Sequence, residues 1–198
     1  MRQDGKAEVT LERNSRGQLM TIHMLEKGLV QVYTGNGKGK TTAALGLAFR
    51  AVGRKLRVCM IQFVKGNEPC GEHFSATLLA PYLTIIQCGH KGWIGRKTPG
   101  PEATACARKA FEMAQEAVTG RAYDLVILDE INTAVSYALV AVEELVQLIK
   151  DKGEHVELVL TGRNAAPEIL EAADLVTEMR EIKHYFKAGV PARIGIEK

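Results

Sequence analysis

The amino-acid sequence predicts one α/β domain, in which a mostly parallel β-sheet carries helices on both faces. Two observations predict this class. Apolar runs of strand length alternate with helical apolar periodicities along most of the 198 residues, a pattern typical of β-α-β units with right-handed crossovers. A glycine-rich loop at residues 34–42 also separates the first such strand from the first such helix, where α/β proteins often bind phosphate groups.

The composition is that of an ordinary soluble globular protein. A net charge of +3 with 25% charged residues indicates neither a nucleic-acid partner nor a membrane partner. No apolar run is long enough to span a bilayer, and residues 1–17 are too polar for a secretory signal. The four cysteines show no CxxC spacing, so we expect reduced thiols and a cytoplasmic location.

The chain divides into an N-terminal arm, residues 1–27, and a nucleotide-binding catalytic domain, residues 28–198. The arm mixes charged residues with Gly and Ser, and its pattern predicts no deep core. Two interpretations stay open: the arm is loosely held, as many termini are, or it orders over the active site.

The apolar run at residues 29–33 predicts a strand that delivers a phosphate-binding loop. Glycine tolerates positive φ values and lets backbone N–H groups approach phosphate oxygens closely. Lys40 supplies a cation for the far end of a polyphosphate, and the Thr41 hydroxyl is placed to hold Mg²⁺. The predicted nucleotide-binding residues of the loop are Gly35, Asn36, Gly37, Lys38, Gly39, Lys40, Thr41 and Thr42.

The loop departs from the usual GxxxxGK[ST] pattern in two places. Thr34 stands where the first glycine is expected, and Lys38 adds a second cation inside the turn. The residues that follow predict a helix whose positive end faces the bound anion. Its apolar positions are Leu45, Ala48, Phe49 and Val52.

A second buried strand is predicted at residues 57–64, where the one polar member is Gln62. Gln62 falls near the carboxyl end of that strand, and open α/β sheets bind ligands at this end. The next segment, residues 65–74, is predicted to be a loop. Its Glu72 and His73 are either solvated or catalytic.

Residues 83–88 predict another strand, followed at residues 89–102 by a loop rich in Gly, Pro and cations. Loops of this length tend to be lids or binding loops. Trp93 either packs this loop onto the domain or contacts a flat ligand. Residues 102–118 then predict an amphipathic helix whose core stripe is Cys106, Ala110, Met113 and Ala117.

The run YDLVILDE at residues 123–130 ends an apolar strand in two carboxylates, Asp129 and Glu130. Beside a phosphate loop, such a pair can hold Mg²⁺ and position water or substrate; alternatively, the two residues are simple helix caps. Arg163 follows a further strand and is either a phosphate or ribose contact or an exposed ion pair. The other predicted elements are helices at 142–149 and 167–173 and strands at 156–160 and 175–182.

These residues together resemble the ATP:corrinoid adenosyltransferases of the CobA type. The resemblance covers residues 28–197 and implies a RecA-like P-loop fold that transfers the adenosyl group of ATP to a reduced corrinoid. The variant loop and the tail are specific to this family rather than to P-loop proteins in general. The resembling stretches are YTGNGKGKTTAALGLAFRAVG, MIQFVKG with the following Gly71-Glu72, YDLVILDE, VLTGR and IKHYFKAGVPARIGIE.

The resemblance also implies roles for individual residues. Residues 35–42 would hold the triphosphate, Thr41 and Glu130 would place Mg²⁺, and Asp129 would support the metal. The nucleotide would lie reversed relative to ordinary P-loop ATPases, so that ribose C5′ faces outward. The implied catalytic groups are Lys38, Lys40 and Glu130, and the further ligand contacts are Gln62, Trp93 and Arg163.

Trp93 would lie at the corrinoid face, where family members wedge aromatic side chains under the ring and so ease the reduction of Co(II). This chain reads GHKGW where members often read GFTW, so His90 or Lys91 takes the place of the partner aromatic residue. The resemblance further implies a homodimer and an electron donor such as a flavoprotein.

The leading hypothesis is therefore adenosyl transfer from ATP to a reduced corrinoid. The same loop and carboxylate pair would also serve an ordinary P-loop ATPase or a small-molecule kinase. A third hypothesis is a regulatory module that senses ATP without turning it over, although the long loop around Trp93 leaves room for a second ligand.

Overall fold

A computed structural model describes residues 9–13, 19–23, 25–66, 68–89 and 100–198. Within these residues the strands are β1 (Val9–Arg13), β2 (Leu19–His23), β3 (Val30–Thr34), β4 (Val58–Gln62), β5 (Leu83–Gln87), β6 (Leu125–Asp129), β7 (Glu157–Thr161) and β8 (Leu175–Glu178). The helices are α1 (Lys40–Val52), α2 (Gly71–Leu78), α3 (Pro101–Thr119), α4 (Ile131–Ser136), α5 (Val142–Lys150) and α6 (Pro167–Glu171), and a 3₁₀ turn covers Tyr185–Ala188.

Six strands form one sheet in the order β5-β4-β6-β7-β3-β8. Every neighbouring pair in this sheet is parallel, which confirms the predicted fold class. The carboxyl ends of all six strands therefore meet at one edge, where open α/β sheets bind ligands. The residues that end β3, β4, β6 and β7 at this edge are Thr34, Gln62, Asp129 and Thr161.

The sheet is buried on both faces by helices. On one face α1 and α2 pack against the strands through small side chains, among them Ala44, Ala48 and Ala76. On the other face α3, α4 and α5 bury a larger cluster. The buried stripe of α3 partly differs from the predicted one, and its members are Ala107, Ala110, Phe111, Ala114, Ala117 and Val118.

The prediction of a loop at residues 65–74 is wrong. The helix α2 begins within this segment, at Gly71. This helix leaves its large apolar residues in solvent: Phe74 is 64% exposed and Leu78 is 84% exposed. A helix that buries only small residues shows no clear apolar periodicity in the sequence. The short helix α4, directly after β6, was missed as well.

The N-terminal arm contains β1 and β2, which pair with each other in an antiparallel ribbon. No strand was predicted there. In the part of the chain that the structure covers, no helix is both long enough and apolar enough to cross a membrane.

Candidate active site

The phosphate loop joins β3 to α1 and takes its shape from two glycines. Gly35 has a φ of 94° and Gly39 a φ of 118°, which lie in the left-handed region that residues with a Cβ rarely adopt. Gly39 is the N-cap of α1, whose first helical residue is Lys40. The unpaired N–H groups at the helix N-terminus therefore open onto the loop.

Residues 179–180, which directly follow β8, support the loop from outside. The Gly37 N–H donates to the Met179 carbonyl at 2.7 Å, and the Met179 N–H donates to the Thr34 carbonyl at 2.8 Å. A Cβ on Gly37 would lie 2.8 Å from the Met179 oxygen and from the Arg180 carbonyl carbon, closer than real side chains approach. Gly37 is therefore required by backbone packing, and its N–H is already used within the protein.

Lys40 lies beneath the loop, with only 6% of its surface exposed. Its Nζ donates to the carbonyl oxygens of Gly35 and Gly37, each at 2.8 Å. Burial lowers the pKa of Lys40, and the negative charge of Glu130 opposes this shift. A lysine ammonium has three donors, so the third donor can still be offered to an anionic ligand.

Asp129, at the end of β6, fixes the Thr41 hydroxyl. Its Oδ1 accepts hydrogen bonds from Thr41 Oγ1 at 2.9 Å and from Thr161 Oγ1 at 2.7 Å. The Asp129 side chain is completely buried. Because Thr41 gives its proton to Asp129, the lone pairs of its oxygen are left for a cation on the opposite side.

The second oxygen of Asp129 belongs to a network that also contains Glu72. Lys65 Nζ lies 3.0 Å from Asp129 Oδ2 and 3.0 Å from Glu72 Oε1. Gln62 Nε2 contacts the same two oxygens at 3.4 and 3.1 Å. Among the described residues, Gln62 Oε1 is buried without a hydrogen-bond partner, so it can accept a hydrogen bond from a buried water molecule.

The charges in this network shift the pKa values of its members. Burial lowers the pKa of Lys65, but the carboxylates of Asp129 and Glu72 outweigh burial, and the pKa is raised. For Glu72, burial raises the pKa, but the charge of Lys65 outweighs it, and the pKa is lowered. Lys65 and Glu72 are therefore held in their charged forms.

Glu130 adopts a left-handed backbone conformation, with a φ of 61°, at the junction between β6 and α4. Its carboxylate accepts a hydrogen bond from Thr133 Oγ1, which in turn accepts from the Arg163 backbone N–H at 3.0 Å. The Glu130 N–H donates to Thr161 Oγ1 at 2.9 Å. Such strain in a residue other than glycine or asparagine is common at functional sites.

A cavity of about 780 Å³ lies beside the phosphate loop and the Lys65–Glu72 pair, at the carboxyl edge of the sheet. This is a usual size for a small-molecule site. Gly35, Gln62 and Asp129 are not part of the cavity wall. Trp93 and its neighbours His90 and Lys91 lie outside the described residues. The predicted site residues that line the cavity are Asn36, Gly37, Lys38, Gly39, Lys40, Thr41, Thr42, Glu130 and Arg163.

Comparison with known proteins assigns this arrangement to a family. Residues 26–197 match the family described as ATP:corrinoid adenosyltransferase BtuR/CobO/CobP. The chain belongs to this family.

Curated members of the adenosyltransferase family are similar over nearly their whole length. A corrinoid adenosyltransferase of Escherichia coli K12 is 40% identical over 87% of this chain and 86% of its own. One from a Sinorhizobium species is 37% identical over 94% of this chain and 87% of its own. Among solved structures, the flagellar accessory protein FlaH from Methanocaldococcus jannaschii matches with a TM-score of 0.54 at 14% identity, covering 86% of this chain and 80% of its own, which supports the P-loop fold.

Lys65 belongs to the site of this adenosyltransferase but was not among the predicted site residues. Its side chain lines the cavity and contacts two carboxylates that come from α2 and β6. The available signal was its position, because it is the first cation after β4 at the ligand-binding edge. His73, considered as a catalytic group, instead caps α2: its Nδ1 accepts a hydrogen bond from the Cys70 N–H at 3.0 Å.

Proposed function

We propose that this enzyme transfers the 5′-deoxyadenosyl group of ATP to the cobalt of a reduced corrinoid and releases inorganic triphosphate. The observation that carries the proposal is the match of residues 26–197 to ATP:corrinoid adenosyltransferases. The phosphate loop, its buried lysine and the nearby carboxylates support it. The two alternatives, a phosphoryl-transfer enzyme and an ATP sensor, have no comparable support.

In this proposal the triphosphate lies in the loop formed by residues 35–42. The N-terminus of α1 and the third donor of Lys40 face the phosphates, and Lys38, which is exposed on the cavity wall, adds a mobile cation. Negative charge grows on the leaving oxygen as the C5′–O bond breaks. Donors and cations already in place stabilise that charge without reorganisation.

The residues present fit Mg²⁺. Within the described chain no group of three or more His, Cys, Asp or Glu residues is placed to hold a metal ion, but Mg²⁺ on a nucleotide needs only one or two protein ligands besides phosphates and water. Thr41 and Glu130 are the proposed ligands, and Asp129 orients Thr41 from behind. When bound, Mg²⁺ would neutralise charge on the departing triphosphate.

The acceptor needs no general base from the protein. The second substrate would be cob(I)alamin or a precursor corrinoid in the same reduced state. Its cobalt is a strong nucleophile, so the electron pair on cobalt forms the Co–C5′ bond while the C5′–O bond breaks. The protein has to align these atoms and exclude competing water. We therefore propose that the nucleotide lies with ribose C5′ toward the open side of the cavity and with Gln62 and Arg163 near it.

The roles of Trp93 and of an electron donor, the homodimer and the cytoplasmic location are further parts of this proposal. Trp93 would lie at the corrinoid face and, with His90 or Lys91, help to remove the lower axial ligand before Co(II) is reduced. A flavoprotein would supply the electron. A homodimer and a cytoplasmic location would agree with the family and with the cysteine content.

Analysis of the products tests the proposal. The protein is incubated with MgATP and chemically reduced cobalamin, and light-sensitive adenosylcobalamin is followed by its spectrum together with inorganic triphosphate. We expect both products in equal amounts, and we expect Lys40→Ala to lower the rate by about 100-fold or more. Lys150→Ala, an exposed residue at the end of α5, is the control.

Formation of ADP and orthophosphate without a carbon–cobalt bond would contradict the proposal and favour a phosphoryl-transfer enzyme. Tight ATP binding without any product would favour the sensor.

A further inference from the structure

The chain after β8 runs along the carboxyl edge of the sheet toward the helix that follows β4. Strand β8 lies at one edge, beside β3. At its far end, the Lys198 carbonyl oxygen lies 3.7 Å from where a Cβ on Gly71 would be. Gly71 is the first residue of α2, the helix that follows β4. Because β8 and β4 are four strand spacings apart in the sheet order, the crossing covers about 19 Å. We call residues 181–198 the crossing segment.

The far end of the crossing segment is held by a cluster centred on Glu197. Its carboxylate accepts from the Tyr185 hydroxyl, from the Arg193 N–H at 2.9 Å and from the Arg193 guanidinium at 3.2 Å. The guanidinium also lies over the Tyr185 ring, 5.1 Å from its centroid, within the range of a cation–π contact. Hydrogen bonds from Arg193 and Tyr185 lower the pKa of Glu197 to about 2, so the cluster is charged at neutral pH.

The turn at residues 195–198, whose shape this cluster fixes, lies on the wall of the active-site cavity. The two isoleucines of the turn region differ sharply. Ile196 lines the cavity and is 60% exposed, whereas Ile194 is 93% exposed and is not part of the wall. An apolar side chain on the wall of a ligand cavity can pack on an apolar part of the ligand.

The cavity has an inner and an outer zone. The inner zone is the phosphate loop, where Lys40 is almost fully buried. Exposed apolar groups also line the cavity, namely Phe49 from α1 at 69% exposure and the crossing segment's Ile196, and we call this part the outer zone. In the proposed reaction the phosphates occupy the inner zone, so the outer zone holds the adenosine and the acceptor that approaches it from solvent.

We propose that residues 195–198 form a wall of the corrinoid subsite, in which Ile196 packs on the apolar surface of the macrocycle. Tyr185 is a positioning residue, because it acts on this wall through Glu197 and Arg193. The inference rests on the proposed adenosyl transfer, since that reaction supplies a large flat acceptor. It assigns a role to the tail motif that neither the nucleotide nor the metal requires.

The test compares Ile196→Ala with its matched control, Ile194→Ala. Cobalamin binding is titrated by absorbance in the presence of MgATP, and the steady-state KM values for reduced cobalamin and for ATP are measured. We expect Ile196→Ala to weaken cobalamin binding and raise its KM by about tenfold, while the KM for ATP changes less than twofold. Ile194→Ala should match the wild type in both.

Tyr185→Phe provides a second test, because it removes one hydrogen-bond donor to Glu197 and leaves the cavity wall chemically unchanged. We expect a smaller rise in the KM for cobalamin, about threefold, with an unchanged KM for ATP and an unchanged melting temperature. This loss of roughly one hydrogen bond is a modest effect.

An increase confined to the KM for ATP, or equal behaviour of Ile196→Ala and Ile194→Ala, would overturn the inference. Adenosyl transfer by the wild type would in that case still stand. If the wild type binds cobalamin but transfers nothing, the proposed function fails, and weaker binding by Ile196→Ala would still support the wall. Absence of cobalamin binding by the wild type would overturn both.

Discussion

Single residues of the phosphate loop serve two purposes that the sequence does not distinguish. Gly35 and Gly39 have positive φ values, which glycine adopts readily, and a Cβ on Gly35 would also lie 2.4 Å from the Met179 oxygen. Gly37 is a glycine because the backbone of residues 179–180 lies against it. That contact depends on a strand far along the chain, and no local pattern records it.

Substitution of Gly37 separates these two purposes. We expect Gly37→Ala to destabilise the protein by about 1–3 kcal/mol, because the added Cβ forces residues 179–180 away from the loop. The control is Gly46→Ala in α1, where no atom lies within 4 Å of the added carbon. Since glycine is unfavourable inside a helix, this control should stabilise by about 0.5–1 kcal/mol. Urea unfolding measures both.

MgATP binding by Gly37→Ala should weaken together with its stability. Wild-type stability in this variant would show that residues 179–180 move at no cost, and the proposed packing role would be wrong.

At the scale of elements, the sequence predicted the buried strands and the helices α1, α3, α5 and α6, but it did not predict α2 and α4. Strands β4, β6 and β7 are continuous apolar runs, which is the pattern of a parallel sheet covered on both faces. The helix α2 exposes Phe74 and Leu78 and therefore shows no core stripe. A buried element shows a recognisable apolar pattern in the sequence. A helix that is held by its cap and by small residues, such as α2, does not.

The candidate site shows the same limit. The phosphate loop and the carboxylates of Asp129 and Glu130 could be read from local motifs. The contacts of Lys65 could not, because it follows β4 while its partners come from α2 and β6. The order of strands in the sheet brings these elements together, and single-sequence patterns predict strands but not their order.

Removal of the Lys65 charge should therefore weaken the junction of β4, α2 and β6. Lys65→Met leaves the completely buried Asp129 without its cation. Because Lys65 itself is a quarter exposed, we expect a loss of about 2–3 kcal/mol in the free energy of unfolding, less than for a fully buried pair.

The matched control is Lys187→Met, which removes an ion pair with Glu181 from an exposed lysine. It should leave the free energy of unfolding nearly unchanged, because solvent screens an exposed ion pair. If both variants lose the same amount in urea unfolding, the network around Asp129 does not stabilise the fold.

At the scale of the whole molecule, carboxylates paired with cations determine how stability depends on pH. The pKa of Glu72 lies below its ordinary value of 4.5 because the charge of Lys65 outweighs burial, and the pKa of Glu197 lies near 2. Between these lowered values and pH 4.5, unfolded carboxyls bind protons that the folded ones do not. Stability is therefore complete above about pH 4.5 and falls as the pH drops through the folded pKa values.

Urea unfolding at several pH values between 3 and 7 measures this dependence. Lys65→Met removes the largest of the influences that lower the pKa of Glu72 and leaves burial, the hydrogen bond from Gln62 and a backbone hydrogen bond, so we expect a smaller loss of stability on acidification than in the wild type. Parallel pH profiles for the two proteins would show that the Lys65 charge does not control Glu72.

The contact between Gly37 and Met179 also bears on biosynthesis. The loop sequence is translated early, but its shape is completed by β8, which pairs with β3 across most of the chain. A nascent chain paused on the ribosome before residue 175 therefore carries the nucleotide motif without a formed pocket. We therefore expect a newly made chain to bind ATP only after residues 175–180 have left the exit tunnel. Incomplete chains should not bind the nucleotide.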